Sequence, residues 1–363
     1  MEIDDLEAIP IAIDRNEVFK ISTGSSLTAE NVIIKVESDD ARGWGNSSVN
    51  GVTGETLESI LKAFETMKSK IVGEDVVIEE VWADMRKNLP DDPAALAGLD
   101  IALFDVKGKL EGRTITEMFG GKREGIMTDR TIGHMTKRET VKHARKFIDE
   151  GFKALKIKVG LGLMEDINRV KAVREEVGED IDIWIDANQA FTPEESITLC
   201  QKLADCIEFV EQPVKVHDIE GLKKVTEETE IPIMADETIK GPEMAKKICE
   251  EGIADMINIK LAKCGGLTGG RKIVEIMEDH GVEGMVGCMG ETSVSISAGA
   301  HLFNSTDNLK YADLDSHFML SDNIATGLDF VEGSLWTSKR PGTGIQIDKE
   351  KLDKYRVKIE GER

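Results

Sequence analysis

The middle of this chain repeats one unit eight times, and few folds accommodate that. Short apolar, β-branched runs alternate with longer amphipathic stretches from about residue 127 onward. The runs are DRTIG around Thr131, ALKIKV at 154–159, DIWIDAN at 182–188, IEFVEQP at 207–213, IPIMADE at 231–237, MINIKLA at 256–262, GMVGCM at 284–289 and LKYADLD at 309–315. Segments such as KRETVKHARKFIDEGF and GPEMAKKICEEGI lie between them, with apolar residues at three-to-four spacing. Measured at the last polar residue of each run, Thr131, Lys158, Asp186, Glu211, Asp236, Lys260, Cys288 and Asp313 stand 27, 28, 25, 25, 24, 28 and 25 residues apart. That interval is one strand and one returning helix. Strands alternating with helices imply a parallel sheet with right-handed crossovers. Eight near-equal units favour closure into an α/β fold of (β/α)8-barrel type over a doubly wound open sheet.

The chain before residue 127 has another texture. ENVIIKVES and GWGNSSVNGVTG read as a strand meander and a glycine-rich loop, and ETLESILKAFETMKSKI and AALAGLDIALFDVKGKL as helices. The tail contains the turn-rich KRPGTGIQID. We read residues 1–122, with the tail 318–363, as an α+β capping domain, and 123–317 as the catalytic barrel. Loops of a cap over a barrel mouth are a natural place for specificity.

Composition excludes some function classes. A formal charge of −23 without a Lys/Arg cluster speaks against a nucleic-acid partner. The cysteines, Cys200, Cys206, Cys249, Cys264 and Cys288, are odd in number and lack C-x-x-C spacing, which suits a reducing compartment better than a disulfide framework or a zinc ribbon. The acidic N-terminus does not read as a signal peptide, and no apolar run has the roughly 18–20 residues of a membrane span. The expectation is a soluble, cytoplasmic protein without a membrane partner.

The chemistry concentrates at the strand ends. In a barrel, the C-terminal ends of the strands share one mouth. Asp186, Glu211 and Asp236 end three consecutive strands there. A single such acid more often caps the following helix, but three in register, with lysines on both sides, call for a cation. All-oxygen ligands suit Mg²⁺ or Mn²⁺, one per subunit. Lys158 and Lys260 occupy the equivalent points one strand before and one strand after this trio. A strand-end lysine alone is more often a surface side chain; a pair facing each other across a ligand can act as general bases if the pKa falls. Lys156 shares the inward face with Lys158, and its charge, with the metal's, was expected to lower that pKa. The arrangement suits removal of a proton beside a carboxylate and its return on the opposite face.

These residues resemble a known family. KIKVG at 156–160, DAN at 186–188, EQP at 211–213, ADE at 235–237 and NIKLAKCGG at 258–266 are similar to motifs of the enolase superfamily, muconate-lactonising subgroup. AALAGLDIALFDVKGKLEGR resembles its cap helix and PGTGI its C-terminal turn. The resemblance implies that Lys158 and Lys260 are the acid/base pair and that Asp186, Glu211 and Asp236 bind Mg²⁺. It implies substrate contacts at Thr131, Cys288 and Gly290, a contact of Lys156 with the substrate carboxylate, and a homo-oligomer. Asp313 and Asp315, two carboxylates at the eighth strand end, would suit a substrate ammonium. A D-x-D there resembles the dipeptide epimerases, which implies a small dipeptide substrate inverted at its C-terminal residue.

Two departures stand out. Members acting on Ala-Glu place an arginine in the cap loop matching FKISTGSSLTAE, whereas here no arginine lies between Arg15 and Arg42, Lys20 is the only cation of that loop, and Ser22, Thr23, Gly24, Ser25 and Ser26 are small and uncharged. The proline that often follows D-x-D is replaced by Ser316. Within the subgroup, an N-acylamino-acid racemase or an o-succinylbenzoate synthase remains an alternative, and a non-catalytic metal- or peptide-binding barrel is the alternative of another class. CGGLTGGRK reads as a tight strand-to-helix turn rather than a phosphate loop. Glu291 has two readings: a partner of Lys260 or a helix-start acid.

Overall fold

The computed structural model describes residues 1–22 and 24–358. Thr23 and residues 359–363 of the tail lie outside the described residues. The chain opens with an antiparallel meander of β1 (Asp5–Ile21), β2 (Gly24–Ser38) and β3 (Ala41–Ser48). Reading the sequence had not placed a strand in the acid-interrupted N-terminus, nor the helix Ile78–Asn88. β1 is long enough to reach over the barrel mouth, and its pairing with β2 shifts register between Asp14 and Phe19, a bulge that re-aims the side chains there.

The helix Pro93–Glu111 is apolar on nearly every side because it is buried on nearly every side. Small residues let the sheet approach it closely: a Cβ on Gly45 would fall 1.9 Å from Gly98 O. Two buried aspartates tie it to its surroundings. Asp100 accepts from Thr268 N at 2.9 Å and Thr268 Oγ1 at 2.6 Å, and Asp105 accepts from Trp44 N and Thr343 N, each at 2.8 Å. The tail meets the cap again through bridges of Leu320 with Arg15 and of Arg356 with Ile11.

The barrel strands are β4 (Asp129–Ile132), β5 (Ala154–Lys158), β6 (Asp182–Asp186), β7 (Val210–Glu211), β8 (Ile233–Ala235), β9 (Met256–Lys260), β10 (Glu283–Gly287) and β11 (Leu309–Asp313). They form one parallel sheet in chain order, β4 to β11. The helices between them begin on local signals. Thr136 with Glu139, and Thr192 with Glu195, form capping boxes, and Pro193 and Pro242 occupy the first helical turn. Within CGGLTGGRK, Gly265 and Gly266 make the turn between a one-turn helix, Leu261–Cys264, and the helix Leu267–His280, whose first residues are LTGGRK.

The seam between β4 and β11 is closed by side chains rather than by a backbone ladder. Thr128 Oγ1 accepts from Leu314 N at 3.0 Å and donates to Ala312 O at 3.4 Å. Asp315 Oδ2 accepts from Thr131 N at 2.8 Å and from Arg130 Nη1 at 2.9 Å. No helix among the described residues is long and apolar enough to cross a membrane.

Candidate active site

Alternation along each strand sends every second side chain into the barrel. The lower inward positions, Ala154, Trp184, Phe209, Met234, Met256 and Met285, fill with apolar atoms, joined by Tyr311. Trp184 and Phe209 stack at 5.1 Å between ring centroids. Two residues further along the same strands come Lys156, Asp186, Glu211, Asp236, Asn258 and Asp313, all buried. The apolar plug therefore carries a charged layer on its upper side, and the cap loops cover that layer.

Asp186, Glu211 and Asp236 each offer an oxygen within 4.8 Å of the others. Lys158 Nζ lies 2.5 Å from Asp186 Oδ2, and Lys260 Nζ 2.8 Å from Asp236 Oδ2. Asn258 donates to Glu211 Oε1 at 2.8 Å, and the Asn188 amide to Asp186 Oδ1 at 2.8 Å. Lys263, which reading the sequence did not single out, bonds both Asp236 Oδ1 and Asp236 O. The loops that follow β6 and β7 are strained: Asn188, Gln189 and Gln212 have φ of 40°, 71° and 38°.

Lys156 lies on the inward face of its strand, among the acids. It is wholly buried beneath the mouth, with Nζ 2.7 Å from Glu211 Oε2, 2.7 Å from Asp313 Oδ2 and 3.1 Å from Asp186 Oδ2, and it does not line the cavity above. The acids around two of these lysines hold them as ammonium. Burial opposes charge on Lys260, but Asp236 and Glu211 outweigh it and hold the ammonium above the usual lysine range. Asp313, Glu211 and Asp186 do the same for Lys156. Among the acids, burial pushes Glu211 up to about 8, with Asp186 adding to it. Burial acts on Asp186 too, but Lys158 and Lys156 bring it down to about 2.

The open cavity over this layer measures about 750 Å³. Thr131, Lys158, Asp236, Lys260, Cys288, Gly290, Asp313 and Asp315 all line it, as do Gly24, Ser25 and Ser26 of the cap loop. Gly287 leaves room for the Lys260 stem, since a Cβ there would lie 2.9 Å from Lys260 Cε. Asp313 ends its strand, but Asp315 lies beyond it, at the start of the 3-10 turn Ser316–Met319. Their shared direction therefore comes from the turn and from the bonds of Asp315 to β4, not from strand alternation. Cys288 Sγ is 4.0 Å from Asp315 Oδ1. Burial raises the Glu291 pKa, and the charge of Lys260 opposes that in part. Its carboxylate receives the Met289 amide, and Thr292 caps the next helix.

Fold and site define a capped (β/α)8 barrel whose mouth joins an acid triad to opposed lysines. Such a site suits chemistry on a carbon acid. Residues 139–351 match the model of the enolase C-terminal domain-like family, and residues 8–120 that of the mandelate racemase / muconate lactonizing enzyme N-terminal domain. The chain belongs to this family, in the enolase superfamily's muconate-lactonising subgroup. It is 40% identical to the hydrophobic dipeptide epimerase of Enterococcus faecalis, over 90% of this chain and 94% of that protein. It is 36% identical to the L-Ala-D/L-Glu epimerase of Bacillus subtilis, over 95% and 97%. The Enterococcus faecalis enzyme solved with Mg and L-Leu-L-Tyr superposes with a TM-score of 0.92 at 39% identity, covering 95% of this chain and 99% of that one. The N-succinyl Arg/Lys racemase of Bacillus cereus superposes with 0.95 at 30% identity, covering 99% of each. Epimerases and racemases are isomerases, and this chain is an isomerase of that family.

Proposed function

We propose that this protein is a Mg²⁺-dependent dipeptide epimerase that inverts the α-carbon of the C-terminal residue by two-base proton transfer. The observation that carries the reading is a crossing of two axes in the mouth. In a ring of eight strands, strands four apart lie across from each other. Lys158, on the second barrel strand, thus faces Lys260 on the sixth, and Glu211, on the fourth, faces Asp313 on the eighth. A substrate carboxylate directed toward the triad, with its amino end toward Asp313 and Asp315, leaves its α-carbon between the lysines.

The triad fits a hard divalent ion: three buried carboxylates share one small volume. A bound Mg²⁺ would supply positive charge to these acids and to the substrate carboxylate, opposing the raised lysine pKa. The residues of the chain do the rest. A neutral lysine on one side takes the α-proton, leaving an enediolate, and the ammonium of the other returns a proton to the opposite face. Lys156 and Lys263 hold the acids in place from below and behind. Asp313 Oδ1 has no hydrogen-bond donor among the described residues, which leaves it available to the substrate ammonium. An N-acylated substrate would offer nothing to this pair. The N-succinyl Arg/Lys racemase relative keeps that second reading in play.

Incubating the protein with Mg²⁺ and a dipeptide library in D₂O tests the proposal. Deuterium should enter at the α-carbon of the C-terminal residue, together with epimer. Absence of exchange across a broad library would reject the enzymatic reading, and exchange confined to N-acylated amino acids would favour the racemase.

A further inference from the structure

We infer that Arg15 reads the side chain of the substrate's N-terminal residue, and that the side chain it takes is a carboxylate, as in an aspartyl or glutamyl dipeptide. The inference rests on the dipeptide reading above and narrows it. Arg15 lies just outside the loop in which the sequence lacked an arginine, yet its side chain lines the cavity. The register shift between Asp14 and Phe19 aims it there, and the bridge to Leu320 fixes its backbone.

The guanidinium is half-buried and unpaired. Arg123, Arg130, Arg169 and Arg174, the other enclosed arginines, all donate hydrogen bonds. Arg15 makes none to a described residue, and its Nε is enclosed without a partner. Phe19 lies under it, 5.7 Å from the guanidinium carbon to the ring centroid. An enclosed guanidinium with free donors suits a bidentate carboxylate.

Its position assigns the residue it reads. A Cβ on Gly290 would come within 2.9 Å of Arg15 Nη2, so Arg15 stands above the end of the seventh barrel strand. The carboxylates that act on it are Asp315 and Glu291, both on the seventh- and eighth-strand side. That is the side given above to the substrate ammonium. A negative Asp313/Asp315 pair beside a positive Arg15 mirrors an α-ammonium with a side-chain carboxylate a few bonds away. The cap-loop residues of the same cavity, Gly24, Ser25 and Ser26, bear no charge, and Lys240 is exposed at the rim near the fifth strand.

The test compares kcat/KM for epimerisation of Glu-Ala, its neutral isostere Gln-Ala, Ala-Glu and Lys-Ala. The Mg²⁺-loaded enzyme is used as wild type, Arg15→Met and Arg15→Glu. Wild type should favour Glu-Ala over Gln-Ala by about tenfold or more. Arg15→Met should bring that ratio near one, and Arg15→Glu should invert it and favour Lys-Ala, a swap that loss of structure would not produce. A wild-type ratio near one overturns the inference even if neither variant folds. So does an unchanged ratio in Arg15→Met, or a dependence on Arg15 confined to Ala-Glu. Brisk turnover without the preference removes this inference and leaves the dipeptide reading standing. Exchange with none of these four overturns the inference, and absence of exchange across the broad library removes both.

Discussion

The barrel strands carry two inward layers only two residues apart, and they differ in almost every physical respect. The lower, built around Trp184, Phe209, Met234 and Met285, is apolar and stacked. The upper gathers Asp186, Glu211, Asp236 and Asp313 around Lys156, Lys158 and Lys260. Burial of the first layer stabilises the fold. Burial of the second costs desolvation that ion pairing offsets only in part. Stability and chemistry are thus assigned to different rungs of the same strands.

Substitutions can break that division. The largest effect should come from the two lysines. Lys158→Ala and Lys260→Ala should each reduce epimerisation by about 10³-fold or more, measured as α-deuterium exchange. Near-native turnover in either would end the two-base mechanism. Trp184→Ala should do the opposite. It should lower unfolding stability by about 3–5 kcal/mol in denaturant melts, while turnover per folded molecule survives. A comparable loss of turnover would show that the layers are not separable. Asp313→Asn sharpens the comparison inside the upper layer, because it should cut kcat/KM for free dipeptides by about 10²-fold. If activity toward dipeptides stayed nearly intact, Asp313 would not be the ammonium partner.

A further effect, on stability rather than turnover, is set by pH. Burial brings His301 down to about 4 and His317 to about 3, so both are neutral in the fold. Their folded values lie below the unfolded value of about 6.5. The stability they contribute is therefore complete above that pH and is lost as pH falls through about 4 and then 3. Thermal melts between pH 7 and 4 should fall, with up to about 3 kcal/mol traceable to His301. A His301→Gln variant with an unchanged acid slope would contradict this assignment.

The periodic part of the molecule was legible from the sequence because strand, turn and helix signals there are local. Each barrel strand is a short apolar run, and several helix starts carry their own cap, as at Thr136 and Thr192. Strand-end positions followed from counting, which brought Asp186, Glu211 and Asp236 together. What escaped depends on geometry that counting does not contain. Lys263 returns to Asp236 only because Leu261–Cys264 makes one helical turn. Asn258, two residues before Lys260, had the same inward signal as Lys156 before Lys158, and that signal was available in the spacing. Alternation gave Lys156 its inward face but not its depth. Arg15 was passed over because its reach depends on a bulge in a strand that acidic residues disguised.

The side-chain seam between the first and eighth strands gives one residue two obligations. Asp315 faces the cavity with one oxygen and fastens Thr131 and Arg130 with the other. Any change of substrate class that required replacing this acid would also loosen the ring at its only unladdered joint. Descendants of this scaffold that leave ammonium-bearing substrates would then need a new clasp before they could use a new ligand. The order in which specificities arise would be set by mechanical closure as much as by chemistry.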